Sequence, residues 1–495
     1  MWLTLAATIC SSTMTHVQGD VVAAGGDYVD VAFDVPAGTS EIRIAHSDGS
    51  ITDILDWGVW SPDGFRGWGG GLTEDAVIGV DQSSRGYLPG PITPGTWTLV
   101  VGKAQLDADG GHYAIDLTCS ADPTLPVLPR APFNPVVLQQ GRQWYRGDFH
   151  VHSEQSGDAT ATFDQIVALA RQQRLDFVNL SDHNTVSQHA LQAAYLQTHP
   201  ELLLLRGDEI TTYAGHGNAV GLHDYVDHRI GYRGRTIGGM LDDVAAQDAI
   251  FLVNHPRLAV GANCIGCAWR HADTDWSKVS GIEIITGNWS IGVNGFVPQV
   301  LAMWDGLLDQ GHRIAAIGGS DDHNAGRSTD PTASPIGSPT TRVLADNLGE
   351  AAIVDAIRHG RTIVKMRGPD DPMVELTLGG EGVSDVLHDA GGPADLEIHV
   401  TGGTGMFAQV FRDGVKVHQA DVTSDDAVLR YTDSTVGEHR FRIELVDDGN
   451  QRIVVTSHLY AMISEDQSCG CGGGVGGAGL GVGALALALR RRRRH

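Results

Sequence analysis

The chain has 495 residues, 42% of them hydrophobic, and a formal charge of −26 at pH 7. This length predicts two to four domains with ordinary globular cores. An acidic body repels phosphate backbones, so we expect no nucleic acid partner. The six cysteines are too few for a fold built on disulfides.

The N-terminal part of the chain divides into two predicted segments. Residues 1–19 contain the apolar stretch Trp2–Ile9 with no basic residue before it, so we interpret them as either a candidate signal segment or a frayed N-terminus. Residues 20–122 alternate in polarity and contain many turns, which predicts a small β-sandwich. This sandwich is interpreted either as a carbohydrate- or surface-binding module or, more simply, as a structural cap on the next domain.

Five prolines follow at intervals of three residues, from Pro123 to Pro135. A polyproline II helix has three residues per turn, so these prolines would share one face of a stiff spacer. We therefore predict a linker over residues 123–141 and a domain boundary there.

Residues 142–367 alternate strand and helix patterns. Phe163–Arg174 carries apolar residues at helical spacing, and Leu175–Leu180 reads as the strand that follows it. Repeated β-α units favour a parallel sheet, which forms a barrel when it closes. Twelve of the 22 histidines lie between residues 146 and 323, which favours a metal centre in this region.

Groups that can ligate a metal follow most of the apolar runs in this region. His150 and His152 alternate along a strand, so their imidazoles should share one face. In α/β barrels the functional residues lie at the C-terminal ends of the strands. The candidate ligands at such positions are His150, His152, Asp158, His183, Glu209, His216, His255, Asp321 and His323.

The motifs Asp148-x-His150-x-His152, Ser181-Asp182-His183, Gly207-x-Glu209, His255-Pro256 and Gly319-Ser320-Asp321-x-His323 resemble those of the PHP (polymerase and histidinol phosphatase) superfamily. Ser156-Gly-Asp158 and the segment around His216 are similar to its CehA/McbA-type metallohydrolases. The resemblance covers about residues 142–367. It implies an α/β fold: a distorted (β/α)7 barrel, here flanked by two small β-sandwich domains.

The resemblance also implies a ligand set for two or three divalent ions. The first ion would take His150, His152, Glu209 and Asp321; the second would share Glu209 and take His216 and His255; the third would take Asp158, His183 and His323. His223 lies seven residues after His216 and is an alternative to it. Mixed nitrogen and oxygen ligands fit zinc, manganese or iron.

Glu209 and three residues outside the ligand set, Asp148, Asp182 and Arg257, complete the predicted chemistry. Glu209 would bridge two ions, which would activate a bound hydroxide for attack on phosphorus or a carbonyl carbon. Asp148 and Asp182 are interpreted as partners that orient the imidazoles, and Asp182 is counted with Glu209 in the catalytic set. Arg257 is interpreted either as a catalytic anion-binding group or as part of a surface salt bridge.

The rest of the chain predicts a second sandwich and an anchor. Residues 368–463 return to β patterning, with a type I′ hairpin turn at Asp413-Gly414. In residues 464–495, Cys469-Gly-Cys471, an apolar Gly472–Leu489 run just long enough to cross a membrane as a helix, and Arg490–Arg494 resemble a myxobacterial-type C-terminal sorting signal. That resemblance implies export and anchoring at the cell surface.

A pair of cysteines, Cys264 and Cys267, follows the predicted His255 strand. A single CxxC motif is not a structural zinc site, so we expect a disulfide that fixes a loop near the metal centre if the protein is exported. Together these features predict a surface-anchored, metal-dependent hydrolase of small molecules, with phosphoesters as the first substrate class. The alternatives are a CehA/McbA-type carbamate, ester or amide hydrolase and a non-catalytic surface-binding protein.

Overall fold

A computed structural model of the protein describes residues 8–49, 52–260 and 264–465. Its N-terminal unit consists of two antiparallel four-stranded sheets, in the orders β1-β8-β3-β6 and β2-β7-β4-β5. The strands are β1 Thr15–Val21, β2 Tyr28–Val35, β3 Glu41–Ser47, β4 Ile54–Ser61, β5 Gly64–Gly70, β6 Ala76–Gly79, β7 Gly95–Gln105 and β8 Gly111–Ser120.

The alternation predicted for this unit buries one face of each sheet. Phe33, Trp57 and Trp97 lie in the shared core. A disulfide joins Cys10 to Cys119, and β1 begins five residues before the predicted start of the sandwich at residue 20. Residues 10–19, interpreted from sequence as part of a signal segment or a frayed end, are therefore held in this unit.

The proline-rich segment lies against the neighbouring part of the protein. The backbone N–H of Ala131 donates to the carbonyl of Ala190 at 2.9 Å. The guanidinium of Arg206 stacks 3.4 Å above the ring of Phe133. The segment is therefore attached along its length and does not act as a free spacer.

The middle part of the chain forms the mixed α/β region expected from the sequence. Its strands are ordered β15-β14-β13-β12-β11-β10-β9-β16-β17. The elements are β9 Val137–Val151, α1 Phe163–Gln172, β10 Phe177–Leu180, α2 Ser187–Leu196, β11 Leu203–Thr212, β12 Gly215–Val220, α3 Ile237–Ala246, β13 Ile250–Val253, β14 Val279–Thr286, α4 Trp289–Gly292, α5 Val297–Asp309, β15 Ala315–Gly319, β16 Thr340–Gly349, α6 Glu350–Arg358 and β17 Thr362–Lys365.

The strand ladder of this region does not close into a barrel. β12 pairs antiparallel with β11 and β13, and β16 pairs antiparallel with β9 and β17, which interrupts a pure β-α alternation. The chain beyond β15 reaches β9 only through an isolated bridge between Asp322 and Val151. The predicted (β/α)7 barrel is therefore not confirmed, although the strand ends around β9 and β15 do meet.

Local sequence explains the first helix. Thr162 caps α1 in a capping box with Gln165, and Ile166, Val167 and Ala170 face the core. The helix ends two residues before the predicted Arg174, which adopts a positive φ of 58°. A left-handed residue of this kind is a common way to end a helix.

The C-terminal part continues the same sheet, because β17 pairs with β25 across the domain boundary predicted at residue 368. A separate three-stranded sheet, β18-β20-β23, contributes to one apolar core with the strands of this extension. The strands are β18 Met373–Leu378, β19 Leu387–Asp389, β20 Ala394–Thr401, β21 Phe407–Arg412, β22 Val415–Asp421, β23 Asp426–Asp433, β24 Gly437–Val446, β25 Arg452–Thr456 and β26 Leu459–Ile463.

The hairpin predicted at Asp413-Gly414 joins β21 to β22, and both turn residues have positive φ, 50° and 77°, as a type I′ turn requires. In the part of the chain that the structure describes, no helix is both long and apolar enough to cross a membrane. The predicted anchor, Cys469–Arg494, lies outside the described residues. It stays a prediction, as does the division into domains.

Candidate metal centre

The structure brings all nine candidate ligands together at one end of the β9–β15 region. Two of them, His255 and Asp321, have φ angles of 27° and 58°, which are costly for residues other than glycine. Both backbones are held by hydrogen bonds: the N–H of His255 donates to Glu283 at 2.8 Å, and that of Asp321 donates to the carbonyl of His150 at 2.8 Å. These hydrogen bonds hold both residues in their strained backbone conformations at the point where the ligands converge.

The first predicted ligand set forms a tight group. Nε2 of His150 and of His152 lie 3.1–3.5 Å from Oε2 of Glu209 and Oδ1 of Asp321. Both Nε2 atoms and Oε2 of Glu209 are buried without a hydrogen-bond partner among the described residues. Atoms bound to one metal at ~2.1 Å with tetrahedral angles lie about 3.4 Å apart, so the group fits a divalent ion.

The second predicted set uses the other oxygen of the same glutamate. Oε1 of Glu209 lies 3.5 Å from Nδ1 of His216 and 3.5 Å from Nε2 of His255. The amide of Asn254 donates to that oxygen at 2.8 Å and fixes the carboxylate. His223, the alternative to His216, is exposed and outside the group. Glu209 is therefore located between two ligand groups, as a bridging residue would be.

A disulfide forms between Cys264 and Cys267, as expected, and its loop contacts this second group. Nε2 of His216 lies 2.9 Å from the carbonyl of Ile265, and Nδ1 of His255 lies 3.3 Å from the carbonyl of Cys267. A carbonyl accepts only from a protonated nitrogen, so each contact favours the tautomer whose other nitrogen has its lone pair directed towards Glu209.

The third predicted set is more open. Oδ2 of Asp158 lies 3.3 Å from Nε2 of His183 and 3.3 Å from Nε2 of His323. The ring of His152 lies 4.4 Å and 4.0 Å from these two imidazoles, between the first and third groups. Burial and the charges of His323 and His183 lower the pKa of His152 to about 3, which keeps it in the neutral form that binds metal.

The two aspartates interpreted as partners of the imidazoles have a different role. Asp148 accepts from the backbone N–H groups of His150, Ser320 and Gly337, at 3.1, 3.0 and 2.7 Å. Asp182 accepts from the N–H and the hydroxyl of Ser153, both at 2.7 Å. Among the described residues, neither carboxylate forms a hydrogen bond or ion pair with an imidazole; each fixes the backbone that carries the ligands.

Two residues of the predicted catalytic set do not reach the cavity. Asp182 is buried behind the ligands, and burial raises its pKa to about 7. Arg257 is exposed and is not among the residues that line the cavity. Among the described residues of that set, only Glu209 lines the cavity. The catalytic role of Asp182 and the anion-binding role of Arg257 stay predictions.

Sequence reasoning missed Glu283, on β14. Its Oε1 lies 3.3 Å from Nδ1 of His150, and its Oε2 accepts the N–H of His255. It thus connects ligands of the first and second groups and orients the ring of His150. The available signal was a glutamate inside the apolar run Gly281-Ile-Glu283-Ile-Ile285, since a buried carboxylate requires partners.

A cavity of about 460 Å³ lies beside the three groups, within the usual range for small-molecule sites. Its far wall comes from the N-terminal sandwich and includes Ile54, Asp56, Trp68 and Leu72. Among the described residues that line it there is no arginine or lysine. The described wall opposite the ligand groups therefore carries the carboxylate of Asp56 and no arginine or lysine side chain.

No known family model matches the sequence, and no curated protein does either. Among solved structures, the chain is similar to a two-domain protein from Bacteroides vulgatus containing a predicted PHP-like metal-dependent phosphoesterase, with 19% identity, 68% of this chain and 100% of that chain covered, and a TM-score of 0.37. It is also similar to a candidate metal-dependent phosphoesterase from Bifidobacterium adolescentis, with 14% identity, 38% and 92% covered, and a TM-score of 0.28. With values this low, neither similarity assigns the chain to a family or an activity.

Proposed function

We propose that this protein is a metal-dependent hydrolase that holds two or three divalent ions. The observation that carries the proposal is the environment of Glu209, which is 1% exposed and directs one oxygen to each of two imidazole groups. A buried carboxylate surrounded by unpaired imidazole nitrogens is costly unless a cation joins them. A merely structural cluster would instead satisfy these atoms with hydrogen bonds.

Bound ions would polarise the substrate and lower the pKa of water from 15.7 towards about 7. The chain's own residues would hold the ions and shape the space around them. His216 and His255 are fixed by the disulfide loop, and Asn254 fixes the carboxylate of Glu209. Ile54 and Leu72 make part of the cavity wall apolar, which limits the number of competing waters.

Phosphoesters are the leading substrate class because the ligand motifs resemble those of the PHP superfamily. The CehA/McbA-type alternative, hydrolysis of a carbamate, ester or amide, has its own support. The described cavity lining contains no arginine or lysine, so a doubly charged phosphomonoester would depend on the ions alone for charge pairing. A neutral acyl substrate or a singly charged phosphodiester has no such requirement.

The test is a substrate panel on purified protein loaded with Zn²⁺, Mn²⁺ or Fe²⁺. p-Nitrophenyl phosphate, bis-p-nitrophenyl phosphate, p-nitrophenyl acetate and a p-nitrophenyl carbamate release the same chromophore and can be compared directly. We expect turnover that disappears on chelation and in His152→Asn, but persists in the control His199→Asn, whose half-buried ring lies outside the site. Metal-loaded protein with no turnover of any ester would favour the alternative of a surface-binding protein.

We propose in addition that the enzyme is exported and anchored to the cell surface by Cys469–Arg494. The apolar segment followed by five arginines supports this, as do the two disulfides, which are typical of oxidising compartments. Protease treatment of intact cells should remove the full-length enzyme and leave a control cytoplasmic protein intact. A chain ending at Gln467 should be released from the cell envelope; if both chains stay in the cytoplasm, the location is wrong.

A further inference from the structure

The N-terminal sandwich contributes one wall of the cavity that faces the ligand groups. Asp56, on β4, and Trp68, on β5, line the cavity together with the Gly69–Gly71 segment. A Cβ added to Gly70 would lie 3.9 Å from Nε1 of Trp68 and 4.0 Å from Oδ1 of Asp56. The indole donor and the carboxylate acceptor are therefore neighbours on this wall.

Both groups have unused hydrogen-bonding capacity. Oδ2 of Asp56 accepts from the hydroxyl of Tyr213 at 2.7 Å, whereas its Oδ1 has no hydrogen-bond partner among the described residues. The Nε1–H of Trp68 likewise has no acceptor in the described part of the chain, although Trp68 is only 3% exposed. Both oxygens of a largely buried carboxylate and a buried indole N–H ordinarily have hydrogen-bond partners, so the free Oδ1 and the free N–H on a cavity wall point to a ligand.

This wall is rigidly held against the metal-centre region. The rings of Phe65 and Tyr225 stack with centroids 3.5 Å apart, and Trp68 packs edge-on against His228 at 4.4 Å. The hydroxyl of Thr185 donates to the carbonyl of Gly86 at 3.0 Å. Contacts of this kind between the sandwich and the metal-centre region fix the distance between Asp56 and the ligand groups, as a specificity-determining wall requires.

We propose that Asp56 and Trp68 recognise the non-reacting part of the substrate, and that this part carries a hydrogen-bond donor, a hydroxyl or an ammonium group, and no anionic group. This inference rests on the proposed hydrolase function. Asp56 accepts the donor, the indole N–H of Trp68 binds an oxygen beside it, and the ester is directed to the ions across the cavity. The sandwich is then part of the substrate site and not only a structural cap.

The experiment uses p-nitrophenyl phosphodiesters that differ only in the second alcohol: propyl, 3-hydroxypropyl, 3-aminopropyl or 2-carboxyethyl. The wild type should prefer the hydroxyl and amine substrates over the propyl substrate in kcat/KM by about 10–100-fold, the effect of one hydrogen bond to a charged group, and over the carboxylate substrate by at least as much. Comparing the hydroxyl with the amine identifies which donor the site takes. Asp56→Asn should reduce the preference to within a few-fold, and Trp68→Phe should lower kcat/KM for the hydroxyl substrate.

The matched control is Asp116→Asn, which removes the same charge from the half-exposed face of β8 in the same sandwich. Its substrate preferences should equal those of the wild type. Unchanged preferences in Asp56→Asn, or equal rates with the carboxylate substrate in the wild type, would overturn the inference while leaving the hydrolase function intact.

A binding measurement separates this inference from the proposed function. Saturation-transfer NMR with 1,3-propanediol, 3-aminopropanol and 3-hydroxypropionate needs no turnover. If 1,3-propanediol or 3-aminopropanol binds the wild type but not Asp56→Asn, and no ester is hydrolysed, the recognition role of Asp56 is supported and the hydrolase function is refuted. If these alcohols do not bind and the substrates are not distinguished, the recognition role of Asp56 and Trp68 is refuted.

Discussion

The disulfide loop Cys264–Cys267 should control the affinity of the second ion. The double variant Cys264→Ser/Cys267→Ser removes the covalent closure but leaves the carbonyls of Ile265 and Cys267 in the sequence. In the folded protein these two carbonyls contact His216 and His255, at 2.9 and 3.3 Å. Without the disulfide, the loop would have to be ordered each time both contacts form.

The magnitude follows from the size of the loop and from the contacts. Closing a four-residue loop is worth about 2 kcal/mol in the chain-entropy treatment of disulfides. Loss of groups that orient metal-bound histidines typically weakens metal binding by about 10–100-fold. Both estimates correspond to a similar free energy, so we expect the second ion to bind about 10–100-fold more weakly and the first ion to be unaffected.

The assay is competition against a chelator with elemental analysis of the retained metal. The control is Cys10→Ser/Cys119→Ser, which opens the other disulfide, with a sequence separation of 109 residues, in the core of the sandwich. This control should lose stability, by up to about 5 kcal/mol, without any change in the affinity of the second ion. If the loop variant retains both ions with wild-type affinity, or if both variants lose metal equally, the proposed role of the loop is refuted.

Three further predictions test other parts of the structure. Glu209→Gln should remove at least one bound ion per chain and reduce turnover by orders of magnitude, with circular dichroism unchanged; the exposed Glu201→Gln is its control, and normal metal content in Glu209→Gln would contradict the bridging role. Arg442→Met removes the guanidinium that donates to both Asp305 and Glu444, and leaves Glu444 with Arg452 and Asp305 with the more distant Arg440. It should cost about 1–3 kcal/mol in urea unfolding without loss of metal; a cost under about 0.5 kcal/mol would argue against this buried network. Burial raises the pKa of Asp56 to about 6, above ~3.9 for an unfolded chain, so its ionisation destabilises the fold as pH rises from ~4 to ~6. In chelated protein, Asp56→Asn should therefore gain about 1–2 kcal/mol over the wild type between pH 4 and pH 7, after allowance for its partial exposure; a constant difference would refute the burial.

The ligand positions could be predicted from the sequence because they follow apolar runs. Buried strands impose continuous apolar stretches, and a histidine or carboxylate at the end of one is conspicuous, as at His255 after Ile250–Val253. Glu283 was missed because it lies within such a run and not at its end. Its role depends on the neighbouring strand that carries His150, which no pattern along β14 reveals.

The sequence did not predict the directions of the paired strands or the residues of the cavity wall, and the reason differs from that for Glu283. β11 and β12 are buried on both faces, so their side-chain pattern does not separate parallel from antiparallel pairing, and only the short turn at Tyr213–Ala214 indicates a hairpin. Asp56 alternates with Leu55 and Trp57, so the pattern predicts a solvent-facing strand position. Its actual neighbour, Tyr213, is 157 residues away in sequence, and contacts between domains leave no periodicity.

The roles of Asp148 and Asp182 follow from the cost of assembling the ligands before a metal binds. Glu209 and Asp321 converge with six imidazoles in a largely buried space, and several of the ligand atoms lack hydrogen bonds among the described residues. Such a site would relax unless its backbone were held. The two aspartates accept backbone N–H groups around His150, Ser153 and Ser320, so they resist that relaxation instead of orienting rings. Ions that bind only the folded chain stabilise it by RT ln(1 + [ion]/Kd), so ion binding should raise the melting temperature in the wild type and far less in Glu209→Gln.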